Sequence, residues 1–114
     1  MGLFGSLFQN NSGVVNLDSD TFEKQIKEDK DAVVLDVRTN DEYSQGHIPN
    51  SVLINIMSMS FRNEIDKLDR QKSYYVYCRS GSRSYQAGKA MTHMGFEKVY
   101  NLENGIISWR GEIE

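Results

Sequence analysis

Val76-Tyr77-Cys78-Arg79-Ser80-Gly81-Ser82-Arg83-Ser84 joins two segments of different period. Ser73 to Tyr77 is a short, largely apolar run with the pattern of a buried strand, and from Ser84 to Met94 the residues Ala87, Ala90, Met91 and Met94 recur at helical spacing. The single cysteine of the chain is therefore expected at a strand-to-helix turn. Such a turn aims successive backbone N–H groups at one point, and the helix behind it adds roughly half a positive charge. The natural occupant of that point is an anion.

A cysteine sulfur placed there is stabilised as thiolate, and comparable sites lower a thiol pKa from ~8.5 into roughly 3.5–7.5. Arg79 and Arg83 reinforce the effect. Without such surroundings a lone cysteine reads as a small buried hydrophobe. Two arginines, two serines and a glycine from Arg79 to Arg83 make a poor apolar burial site and a good anion cradle.

Outward from this turn the same alternation repeats. Val14 to Leu17 is a short strand, and Asp18 caps a helix to about Lys27 that turns Phe22 and Ile26 inward. Ala32 to Val37, apolar but for Asp36, reads as a strand buried on both faces. Asp36 and Arg38 project to the same side at its carboxyl end, where they can pair with each other or tie the next loop. A single helical turn capped by Thr39 or Asn40 is stopped by Gly46, and Pro49 turns the chain into a third strand, Ser51 to Ile56. Met57 to Leu68 has Phe61, Ile65 and Leu68 at helical spacing, and the Met57 and Met59 pair is assigned to packing near the site. Asp69 to Lys72 is a polar turn, Gly95 ends the last long helix, and Phe96 to Leu102 supplies a fifth strand. Strands alternating with helices imply an α/β fold, a parallel sheet with helices on both faces.

The 114 residues allow one domain, with a core that hides roughly 65% of the unfolded surface. Residues 14–114 are assigned to it and residues 1–13 to an N-terminal extension. Leu3, Phe4, Leu7 and Phe8 fall on one face of a short helix, expected to dock on the body of the protein, with a partner or a membrane surface as alternatives. Asn10 to Gly13 reads as a linker. Met1 to Gly13 has no Lys or Arg and no apolar core of a secretory signal, although Met1 to Ser6 fits the short myristoylation pattern. Thirteen basic against 16 acidic residues give a net charge of -3, which disfavours nucleic acid and anionic membranes as partners. A single cysteine permits no internal disulfide, so a reducing compartment, the cytoplasm, is expected. One Cys and two His leave little for a structural zinc, and no metal or cofactor is expected.

Cys78-x-x-Gly81-x-Arg83 resembles the active-site loop of the rhodanese-like sulfurtransferases. Leu35-Asp36-Val37-Arg38 resembles the strand motif of that family, and the run from Arg38 through Glu42 and Tyr43 to Gly46-His47-Ile48-Pro49 its second motif, with Asn50 where the family often has glycine. Asn104-Gly105-Ile106-Ile107-Ser108-Trp109 resembles a third stretch, a turn and short helix ending in a tryptophan that would anchor the core. The resemblance implies a five-stranded sheet with the loop at its carboxyl edge. It also implies that Asp36, Arg38 and His47 support the site rather than react. His93, near a helix C-terminus, reads as an ordinary dipole-favoured position.

The chemistry implied is transfer of a sulfane sulfur. Cys78 attacks the outer sulfur of thiosulfate or a persulfide, and the resulting persulfide is held by N–H groups from Arg79 to Ser84, by the Ser80 and Ser82 hydroxyls and by the helix end. Arg83 braces the loop, and Arg79 steers the anionic donor. No second cysteine can resolve the intermediate, so cyanide, a small thiol or a protein thiolate must accept the sulfur. Three alternatives stay open: a sulfur carrier, a non-catalytic partner-binding module, and a cysteine phosphatase or arsenate reductase. Against the last stand the four residues between Cys78 and Arg83, one fewer than phosphatases resembling this fold have, and Tyr77 where those enzymes have histidine.

Overall fold

A computed structural model describes residues 12–114. Its five strands are β1 (Val14–Leu17), β2 (Ala32–Asp36), β3 (Val52–Leu53), β4 (Ser73–Tyr77) and β5 (Val99–Leu102). All pair in parallel, in the order β1-β5-β4-β2-β3. The helices are α1 (Ser19–Glu28), α2 (Asn40–Ser44), α3 (Phe61–Asp66) and α4 (Ser82–His93), with a 3-10 turn at Ile106–Ser108. Among the described residues no helix is long and apolar enough to cross a membrane.

The central strand β4 is buried along its whole length because both its faces are covered. Side chains alternate across it. Tyr74, Val76 and Cys78 join a core with Phe61 and Ile65 of α3 and Ala87 and Met91 of α4. Tyr75 and Tyr77 join a second core with Phe22 of α1, Ile48 and Leu102, against which Trp109 packs. Phe22 meets Tyr75 and Trp109 edge-on at centroid distances of 5.6 and 5.9 Å. Trp109 thus covers this face as expected, although it is itself only half-buried. Asp18 caps α1 through Thr21 N–H, and Thr39, not Asn40, caps α2 in a reciprocal capping box with Glu42.

Four expectations need correction. The third strand is only Val52–Leu53, although Ile54 and Ile56 N–H still donate to the carbonyls of Asp36 and Val37. The helix expected over 57–68 forms only at Phe61–Asp66, because Asn55 Oδ1 and Ser58 Oγ accept the N–H groups of Met57 and Ser60 and hold this stretch in turns. Met57 and Met59 are consequently turned to solvent, 73% and 103% exposed, rather than packed near the site. The fifth strand begins at Val99, since Phe96 N–H closes α4 on the Met91 carbonyl and its ring packs on Tyr74.

At the N-terminal side, Ser12 is fastened to α4. Tyr85 Oη donates to its hydroxyl at 2.9 Å and Thr92 Oγ1 to its carbonyl at 2.7 Å, so this end of the expected linker is held. Asn10, Asn11, the Leu3 to Phe8 face and the myristoylation pattern lie outside the described residues. His93 is the exposed last residue of α4.

Candidate active site

Cys78 directly follows the last residue of β4, at the carboxyl edge of the sheet, and α4 starts at Ser82. Gly81, the residue before that helix, has φ +102 and no side chain with which to cap it. The cysteine sulfur fills that role. Gly81 N–H donates to Sγ at 3.2 Å, Ser84 N–H at 3.4 Å and the Ser84 hydroxyl at 3.4 Å. Burial is the strongest single influence on this thiol and opposes ionisation, but the Ser84 hydroxyl and the N–H groups of Ser84, Gly81 and Ser80 outweigh it and hold the thiol below its ordinary range. The side chain is 1% exposed and shares a cluster with apolar neighbours, yet the amides converge on its sulfur.

The hydroxyl at the sulfur is that of Ser84. Ser80 and Ser82, expected to hold the added sulfur of a persulfide, are exposed, and no hydrogen bond links their side chains to the Cys78 thiol. Ser84 lies in the first turn of α4 and is fully buried, which turns it inward. Its hydroxyl also donates to Asn101 Oδ1 at 2.5 Å, and Asn101 Nδ2 donates to the Gly81 carbonyl at 3.2 Å and to Asn16 Oδ1 at 2.9 Å. Asn101 was not singled out by sequence reasoning. The available signal was an amide in an otherwise apolar strand.

Arg83 braces the loop through a partner that sequence reasoning also missed. Its guanidinium donates to both Glu42 oxygens, at 2.8 and 2.9 Å. Those bonds, against the opposing effect of burial and with help from Thr39, hold the Glu42 carboxyl down at about 2. Arg79 is exposed beside the loop.

Behind the loop lies the third motif. Ile106 and Ile107 N–H donate to the carbonyls of Cys78 and Arg79 at 2.9 and 3.2 Å. Glycines permit the contact: a Cβ on Gly81 would stand 1.9 Å from the Glu103 carbonyl oxygen, and one on Gly105 2.0 Å from that of Arg79.

Asp36 and Arg38 pair with each other, Nε and Nη2 donating to the carboxylate at 2.6 to 3.1 Å, and Arg38 Nη2 also donates to the Gly46 carbonyl at 2.7 Å. His47 stacks on Tyr43, 3.8 Å between centroids, and its Nδ1 lies 2.9 Å from the Tyr43 carbonyl oxygen. Its backbone exchanges two hydrogen bonds with Glu114. These three residues hold the edge of the sheet and the second motif together. Asn50 adopts φ +68, the left-handed conformation expected where glycine is usual. Tyr77 Oη accepts from Ile48 N–H at 3.0 Å and lies 3.1 Å from Ser51 Oγ, so it anchors the Ile48-to-Ser51 turn.

The rhodanese-like domain pattern matches residues 18–112. A sulfurtransferase from Allochromatium vinosum is 32% identical over 96 residues, which cover 84% of this chain and 88% of that protein. A candidate sulfur carrier protein of Bacillus subtilis, YrkF, is 34% identical over 93% of this chain, which spans 56% of its length. Among solved structures, a rhodanese-related protein from Thermoplasma volcanium superposes with a TM-score of 0.76 at 31% identity, covering 88% of this chain and 97% of that one. A loop that gathers amides on a lone sulfur at the carboxyl edge of a five-stranded parallel sheet, and these matches, lead to one conclusion: the chain belongs to the rhodanese-like domain family.

Proposed function

We propose that this protein is a sulfurtransferase in which Cys78 carries the sulfur as a persulfide. The Cys78 thiolate attacks the outer sulfur of thiosulfate or of a persulfide. Its electron pair forms the new S–S bond, and the pair of the broken bond departs with sulfite or with the donor thiolate. An external nucleophile then takes the outer sulfur and returns Cys78 to thiolate: cyanide leaves as thiocyanate, and a small thiol or a protein thiolate leaves as its own persulfide. The exchange is ping-pong.

The observation that carries this reading is the short loop. Four residues separate Cys78 from Arg83, and the donors from Gly81 and Ser84 already close on Sγ at 3.2 to 3.4 Å. A single added sulfur anion fits such a ring better than a tetrahedral phosphate with its oxygens. The similarity to a sulfurtransferase supports the same chemistry. Arg79, exposed at the loop, supplies a positive charge to draw an anionic donor, and a reducing compartment such as the cytoplasm would keep the thiol free.

Incubation with thiosulfate followed by intact mass measurement tests the proposal, with a cyanide-dependent thiocyanate assay beside it. The native chain gains one sulfur and turns over, and Cys78→Ser does neither. Hydrolysis of a phosphate ester with no sulfur uptake would overturn it. Similarity to YrkF favours a second reading, a carrier that loads sulfur and releases it only to a protein thiolate. That reading gives the mass gain without thiocyanate turnover.

A further inference from the structure

The Asn101 amide settles where the Ser84 hydroxyl proton lies. Asn101 is 2% exposed, and its Nδ2 faces the Gly81 carbonyl oxygen at 3.2 Å and Asn16 Oδ1 at 2.9 Å. A carbonyl oxygen only accepts, so the nitrogen belongs on that side and Oδ1 faces Ser84. Oδ1 cannot donate. The 2.5 Å contact between Ser84 Oγ and Asn101 Oδ1 therefore uses the hydroxyl proton, the same proton that points to Cys78 Sγ across 3.4 Å. One proton serves two acceptors, and the amide holds the shorter contact.

We propose that Asn101 is a positioning residue for the reaction at Cys78: by holding the Ser84 hydroxyl proton it withholds part of that donor from the sulfur. The inference rests on the reading of Cys78 as the sulfur-accepting nucleophile. Its benefit follows from thiol chemistry. Nucleophilicity falls as a thiolate is stabilised, and the best attacking thiol ionises near ambient pH. The Gly81 and Ser84 amides already stabilise the sulfur, and a fully committed hydroxyl would stabilise it further at the expense of nucleophilicity. The charged groups packed around the loop are Arg83 of α4, neutralised by Glu42 of α2, the Asp36–Arg38 pair at the end of β2, and exposed Arg79 and Glu103. None touches Asn101 through a hydrogen bond, so a change at Asn101 reaches the sulfur through Ser84 or through Gly81, whose carbonyl the amide also holds, and the Ser84→Ala background separates the two routes.

The test follows thiolate absorbance in the ultraviolet against pH, corrected with Cys78→Ser, together with the plateau rate of iodoacetamide alkylation. Neither measurement uses a sulfur donor, so it stands apart from success or failure of the sulfur-uptake assay. Asn101→Ala lowers the ionisation midpoint by roughly half to one pH unit, the size of one hydrogen bond, and slows the plateau alkylation roughly twofold. Asn101→Val, which keeps bulk in the strand, shifts it the same way. Ser84→Ala raises the midpoint, and Asn101→Val adds nothing in that background. In the native protein the held Ser84 hydroxyl gives a slowly exchanging proton resonance that contacts Asn101. A midpoint that stays or rises, a shift that persists without the Ser84 hydroxyl, or absence of that resonance would each overturn the proposal.

Discussion

Arg83 and Glu42 meet through two hydrogen bonds of 2.8 and 2.9 Å, so the first turn of α4 is fastened to the first turn of α2 across the carboxyl edge of the sheet. The pair is about 30% exposed on each side, between a surface bridge and a buried one. Glu42→Gln should lower stability by about 1–2 kcal/mol in urea denaturation and slow sulfur loading from thiosulfate. Arg83→Lys should rescue neither, because an ammonium cannot make the paired contact.

The same pair sets an acid response. Glu42 is held at about 2 by the Arg83 bonds, against burial, while its ordinary value is 4.5. A depressed carboxyl contributes stability that is fully present above its unfolded value and is lost as pH falls through its folded one. The stability gap between the native chain and Glu42→Gln should therefore shrink as pH drops from 4.5 to about 2. Denaturation midpoints of the two proteins through that window check it.

Glycine substitutions separate close approach from backbone strain. Gly105→Ala and Gly81→Ala each place a Cβ about 2 Å from a carbonyl oxygen of the opposing loop, at φ +71 and +102. Both should cut thiocyanate turnover by more than about tenfold through displacement of the amides. Gly95→Ala, at φ +99 with nothing near its Cβ, should cost only about 1 kcal/mol and leave turnover intact.

Tyr77 offers a contrast between fold and chemistry. Tyr77→Phe leaves Ile48 N–H and Ser51 Oγ without their partner and should cost about 1–3 kcal/mol in denaturation, with turnover per folded molecule unchanged. Tyr77→His should not introduce phosphate-ester hydrolysis, since the interval from Cys78 to Arg83 stays the same.

The strand-to-helix turn at Cys78 was legible because the period changes from strand to helix across it and the anion-binding residue types cluster there. The Asp36–Arg38 pair was legible for a similar reason, as two residues apart on a strand share a side. What escaped was set by distance along the chain. Glu42 lies 41 residues from Arg83, and only the crossing of α2 and α4 joins them. Ser84 and Ser82 look alike in sequence, but one faces the core from the first turn of α4 and the other faces water. Met57 and Met59 carried the apolar mark of packing, whereas Asn55 and Ser58 beside them decided in favour of turns.

The backing of the loop by Ile106 and Ile107 has a directional consequence. In a trans peptide the C=O and the following N–H point opposite ways. Drawing the Cys78 and Arg79 carbonyls rearward to Ile106 and Ile107 turns the amides of Arg79 and Ser80 forward. The Ser80 amide, one of those that hold the thiol down, thus takes its direction from a segment nearly thirty residues downstream. Grafting Cys78 to Ser84 alone onto another strand–helix junction would transplant the letters and leave the peptide planes free to rotate; a graft that brings Gly105 to Ile107 with it carries their orientation too.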